Sequence, residues 1–480
     1  MINLAVRAAA LLVLAVVCAS PQTPFRQLHV AAFDKTGQVV TDLTGSDLKV
    51  TDDGKPQPIL FLRFNHDRPA ASAQLGPHEY SNQSAPRQRR IILLLDLLNG
   101  SYEDRFTENT IVRALESAED PAAIYFYILT NKATFYAVHA LPENPASGAP
   151  PDNDWTAQAK PLLDGAIGQV FGLKPADERI AGNRDILTYQ ALRALGSAAA
   201  ALPGPTSIVW VTYGFPMLVN LGARCRDVKV EDMIAKCNYP YVDFTPVVQG
   251  LGTAMARAGI VIWTVDEALA LDSLSRSMLE TFSGLTGGKT LPRGQTSAAV
   301  ADAFAAMRSN YTLAYRPPEA NWNGKFHRVK VTCARKDVEI RAEDGYFADP
   351  PRDFTAGLME AAADSPAIGV RATASRGNIE NRVRFDVSIG MRDLLLVPEE
   401  GRLTGEVVLE FVGLGDAGPV QLAKPNDLKL TLSAARLEAP ESGAGTTTEL
   451  AVPESVREVR IIAMDRWSGQ VGSLTVPKCW

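Results

Sequence analysis

Histidine and cysteine are scarce in this chain, five of each among 480 residues, and the scarcity narrows its chemistry. His29, His66, His78, His139 and His327 are scattered, without the i, i+4 spacing that puts two imidazoles of a zinc hydrolase on one helix face. No Gly-x-Ser-x-Gly elbow and no phosphate loop occurs, so the usual signposts of α/β-hydrolases and nucleotide hydrolases are missing. Gly413 to Gly418 matches a dinucleotide fingerprint in letters only. Pro419 and strand-like residues follow where a helix is required, which predicts a hairpin turn instead. Net positive charge is lacking too: the formal charge is −6 at pH 7, which offers no pull on nucleic acid or an anionic membrane. Apolar runs of about 18 residues, long enough to span a bilayer, are absent.

One shorter apolar run is present at the start. Arg7 precedes Ala8 to Val17, and Cys18-Ala19-Ser20 follows before Pro21, the pattern of a signal peptide over residues 1–20 with cleavage at Ala19 or Ser20. Export to the periplasm, the cell surface or the medium is the expectation. It leaves Cys225, Cys237, Cys333 and Cys479 in a compartment that permits disulfides. A Cys225–Cys237 bridge would close a local loop and restrict the unfolded chain by about 3 kcal/mol. The pairing of Cys333 and Cys479 is open.

The chain is too long for one ordinary core. Residues 25–65 alternate apolar and polar positions between turns at Asp34 to Gly37 and Asp52 to Pro56, a small β module. Residues 66–87 carry no periodicity and read as a linker. Ile91-Ile92-Leu93-Leu94-Leu95-Asp96 is apolar on both faces, which implies a buried central strand. Helical spacing follows at Ile111, Leu115 and Ala118, and strand character returns from Ala123 to Thr130. The alternation recurs through Ile186 to Leu202, Ser207 to Thr212, a helix opening at Thr245-Pro246, Ile260 to Val265, and a last helix over Ser297 to Arg308. Residues 88–309 therefore read as α/β, a doubly wound and mainly parallel sheet with its ligand site at the carboxyl ends of the strands. Residues 310–348 read as a β appendage. Residues 366–476 alternate again, as in Val383-Phe385-Val387-Ile389, and predict a C-terminal β-sandwich.

Several segments together give a family resemblance over residues 28 to 348. They are Val39 to Leu48 with Asp52 to Gln57, the strand ending at Asp96, Val209 to Pro216, Tyr311 to Tyr315, Gly324 to His327, and Gly345-Tyr346-Phe347. The chain resembles the acidobacterial von Willebrand factor A-related family of exported bacterial proteins. The resemblance implies a von Willebrand factor A-like fold for the central domain and an exported location; the family itself has no settled activity.

Such domains often hold Mg²⁺ through Asp-x-Ser-x-Ser after the first strand, joined by a Thr and an Asp from later loops, because a hard cation wants six oxygens and an open position for a partner's carboxylate. Here Asp96 fits the first position, with Ser101 and Thr188 as the remaining candidate ligands. Leu98 and Gly100 replace both expected hydroxyls, and Thr212-Tyr213-Gly214 stands where Thr-Asp-Gly would supply the later carboxylate. The site is expected to be degenerate and cofactor-free. Asp96 is read as a helix cap or an acceptor of backbone N–H groups at the strand end. Asn99, Tyr213, Tyr239 and Tyr241 form the candidate binding loop. The function expected is that of a cell-envelope protein that binds or scaffolds another protein, not an enzyme. An envelope hydrolase with a dispersed site and a purely structural stalk are the alternatives.

Overall fold

The computed structural model describes residues 25–66, 75–83, 89–99, 105–142, 155, 159–171, 183–202, 204–214, 218–220, 241–243, 245–268, 273–318, 323–348, 364–377, 382–416, 418–438 and 443–478. The expected fold class needs correction. Strand outweighs helix, 46% against 24%, and most strands lie in small antiparallel sheets rather than in a doubly wound, mainly parallel one. Among the described residues, parallel pairing is confined to one mixed sheet of six strands. Outside residues 88–309 the apolar alternation has period two and the pairing is antiparallel, much of it between strands far apart in sequence. Within that stretch, Thr130 to Thr134 closes as a tight turn, too short for a crossover. Phe135–His139 therefore folds back antiparallel on Ile124–Leu129.

The mixed sheet runs Thr290–Pro292, Ile260–Asp266, Thr206–Thr212, Arg90–Asp96, Ile124–Leu129, Phe135–His139. Every residue of Arg90–Asp96 and of Thr206–Thr212 is buried. Because side chains alternate across a strand, Ile91, Leu93 and Leu95 enter one core with Ile111, Leu163 and Phe304. Ile92 and Leu94 enter another with Leu192, Met255 and Phe282. Full burial of each such side chain contributes about 1.5–3 kcal/mol, so a charge at Leu94 would break the sheet. Gly252 lets the helices Thr245–Arg257 and Ser273–Leu285 close up: a Cβ there would stand 2.8 Å from Leu285. Among the described residues, no helix is long and apolar enough to cross a membrane.

Segments far apart in sequence share the smaller sheets. The first half of Arg26–Asp34 pairs with Ser309–Tyr315, and its second half with Val338–Arg341. Leu48–Asp52 pairs with Phe326–Cys333. Their common core holds Leu28, Val30, Tyr311, Leu313, Tyr315 and Val329. Glu79–Ser81, inside the stretch read as a linker, is the outer strand of a sheet continued by Val370–Arg376, Arg382–Gly390 and Gly443–Ala451. That sheet faces Val397–Glu399, Arg402–Gly415, Val456–Asp465 and Val471–Pro477 over a core containing Phe385, Phe411 and Ile461. The chain reverses after Gly415, where the Gly418 N–H donates to Gly415 O at 3.0 Å, and Val412 and Gly413 lie opposite Gln421 and Val420.

Candidate functional site

Three neighbouring strands, Arg90–Asp96, Thr206–Thr212 and Ile260–Asp266, run parallel and end together at one edge of the mixed sheet. Asp96 is fully buried at that edge, and a buried carboxylate must be hydrogen-bonded or lose its charge. It is met by five donors. Oδ1 accepts the backbone N–H groups of Leu98 (3.0 Å) and Asn99 (3.2 Å). Oδ2 accepts Asn99 Nδ2 (2.7 Å), Thr212 Oγ1 (2.9 Å) and Trp210 Nε1 (3.1 Å). Burial pushes the Asp96 carboxyl up, while the Asn99 amide, the Thr212 hydroxyl, the Asn99 backbone N–H and the Trp210 indole pull it down; burial prevails.

The sequence candidates Asp96, Asn99 and Thr188 are thus brought together. Thr188, fully buried on the helix Arg184–Ala200, accepts the other hydrogen of Asn99 Nδ2 at 2.7 Å. Tyr213 is half-buried and directly follows Thr212 in the chain. Tyr241 opens a short strand paired with Leu218–Asn220. Ser101, Cys225, Cys237 and Tyr239 lie outside the described residues, as do Cys479 and residues 1–20. Cys333 is a free thiol.

Trp210 and Thr212 were not among the candidates. Their signal is register: Leu94 lies opposite Trp210 and Leu95 opposite Val211, so alternate residues at the end of the next strand reach the same carboxylate. At the third strand end, Glu267 is fully buried, accepting Gly294 N–H at 3.1 Å and pairing with Arg293 at 3.3 Å.

These residues do not suit the divalent cation that the resemblance implies. A carboxylate offers about four lone-pair positions, and five donors already occupy those of Asp96. Thr188 presents its oxygen to an N–H. An ion would have to displace donors whose positive ends point at its own ligands.

A second polar cluster lies in the sheet built from both ends of residues 25–348. Asp53 and Gly54 have φ of 48° and 77° and join paired residues Asp52 and Lys55, a two-residue turn with both positions left-handed. This aims Asp53 at the Arg328 N–H (2.9 Å) and His327 Nδ1 (2.7 Å), while His327 Nε2 sits 3.0 Å from Asn323 Oδ1. Buried Asp52 accepts the hydroxyls of Tyr315 (2.8 Å) and Tyr346 (3.1 Å). Ligand atoms of Asp52, Asp53 and His327 fall within 4.8 Å of one another. Their bonds to strands and turn account for the grouping: they staple the hairpin to its neighbour.

No family model matches the chain, and no curated protein matches it. Among solved structures it is similar to the human COPII-coat protein Sec24c, at 11% identity and a TM-score of 0.27, over 83% of this chain and 46% of that one. It is also similar to the pilus adhesin SpaC from Lactobacillus rhamnosus GG in its open conformation, at 10% identity and a TM-score of 0.28, over 90% of this chain and 72% of that one. The chain thus spans less than half the length of the first. At these scores the likenesses decide nothing about function.

Proposed function

We propose that this chain is an exported binding or scaffold protein of the cell envelope that holds another protein at the carboxyl edge of its mixed sheet, and that it is not an enzyme. The observation that carries the reading is the closed network beneath that edge. Asp96, Asn99, Thr188, Trp210 and Thr212 satisfy one another, which favours a rigid platform over a poised acid–base pair. The cavity beside Trp210, lined also by Tyr189, Val248 and Phe282, is apolar and about 10 Å³, room for one water at most. Tyr213 leaves the platform directly, and the stretch through Cys225, Cys237 and Tyr239 to Tyr241 follows from the same strand end. Tyrosines placed there would act as interface anchors.

The test is capture of envelope proteins by the intact chain, by a variant lacking Cys225 to Cys237, and by Tyr213→Ala. The reading expects at least a tenfold loss of affinity for the captured partner, about 1.4 kcal/mol, in the variants. Equal recovery removes this surface from consideration. Sustained turnover of an ester, peptide or glycoside by the purified chain would overturn the non-enzymatic part.

A further inference from the structure

We infer that the side-chain amide of Asn99 stands where a cation would, bracing the strand Arg90–Asp96 to the helix Arg184–Ala200 and making the edge independent of divalent ions. An amide nitrogen carries two hydrogens, and both are used: Nδ2 lies 2.7 Å from Asp96 Oδ2 and 2.7 Å from Thr188 Oγ1. Those are hydrogen-bond lengths; Mg²⁺ would require about 2.0–2.1 Å to each oxygen. The amide's orientation is fixed, because turning it over would press its oxygen against a carboxylate. Trp210 Nε1 and Thr212 Oγ1 hold the same Oδ2 from the neighbouring strand. An ion arriving at Oδ2 would therefore face three dipoles directed against it, and Mg²⁺ sheds its water reluctantly.

The same geometry places the chain one substitution from a cation site. Asn99→Asp exchanges the two N–H donors for a second carboxylate beside Asp96, with the Thr188 and Thr212 hydroxyls in reach. That is a hard oxygen set of the kind Mg²⁺ and Mn²⁺ select. The inference does not rest on the proposed partner.

The experiment titrates the full chain with Mn²⁺, followed by electron paramagnetic resonance, alongside thermal melts in Mn²⁺ and in chelator. The wild type is expected to retain no Mn²⁺ at millimolar concentration and to melt at one temperature in both conditions. Asn99→Asp is expected to gain one bound Mn²⁺ and a higher Tm in its presence. Stoichiometric Mn²⁺ on the wild type, lost in Asp96→Ala, would overturn the inference, as would a folded Asn99→Asp that takes up none. Two adjacent carboxylates can unfold that variant in chelator, so Asn99→Ala supplies an independent reading. It should melt several degrees below the wild type with or without Mn²⁺, and a melt equal to the wild type's would refute the brace.

Discussion

Thr212 isolates the worth of one donor to a buried charge. Thr212→Val keeps the shape and removes the hydroxyl that meets Asp96 Oδ2 at 2.9 Å. A loss of about 1.5–3 kcal/mol is expected in urea unfolding, since bonds to charged groups are the costly ones to leave unmade. Asp53 tests pH dependence. Burial pushes its carboxyl up, but the Arg328 N–H and His327 together outweigh burial and hold it below the usual range. A carboxyl depressed in the native state binds protons less readily there than in the unfolded chain. Its stabilisation is present above the unfolded pKa of about 3.9 and is lost as pH falls through the folded value. Asp53→Asn should therefore lower Tm at roughly pH 6, and the gap to wild type should close towards roughly pH 2. Asp96 has the opposite sign: raised by burial, it stabilises most below its unfolded pKa and less as pH rises towards its folded one. In the sequence, Asp96 was legible as the carboxylate that ends an apolar strand, and Thr188 only as the loop threonine that the family resemblance implies. Trp210 and Thr212 were hidden because their role depends on which strand lies next door.

At the scale of elements, Glu79–Ser81 shows what short strands conceal. Three residues cannot display a period, and the segment becomes a strand only through Val370–Arg376. Asn82 then fixes the junction: its Nδ2 donates to Ser365 O and Ile368 O, and its Oδ1 accepts from Val370 N, all at 2.8 Å. Asn82→Ala strips three part-buried backbone groups of a partner. A loss of about 1–3 kcal/mol is expected, seen as faster amide hydrogen exchange along Val370–Arg376 than along Val456–Asp465. By contrast, Arg90–Asp96 and Thr206–Thr212 were readable from composition alone, because strands buried on both faces are apolar throughout. The antiparallel return of Phe135–His139 was not, since its direction is set by a turn rather than by its own residues.

For the whole molecule, the seam between the N-terminal strands and the C-terminal sheets is small and specific. Phe25 and Trp467 meet with ring centroids 5.4 Å apart, and Phe25, Phe61, Ala314 and Leu395 form a cluster of their own. Arg63 donates across it to Arg392 O at 3.0 Å. Aromatic pairs contribute about 0.5–1.5 kcal/mol beyond the area they bury, so this seam couples two cores without merging them. Trp467→Ala should split calorimetric unfolding into two transitions, whereas a single cooperative peak would show that other contacts hold the cores together. The sequence located most strands of both cores but not their partnership, because pairing across hundreds of residues leaves no local trace.

The strand Arg26–Asp34, shared between two sheets, also bears on how the polypeptide is made. His29 is tied to Glu343, 314 residues later. At translation speeds of about 5–20 residues per second, roughly 15–60 s pass before the opening strand meets its companions. During that interval its hydrogen-bonding edges stand bare, a template for aggregation. Long-range topology of this kind also folds slowly. The opening strand must therefore stay unpaired until synthesis is nearly done.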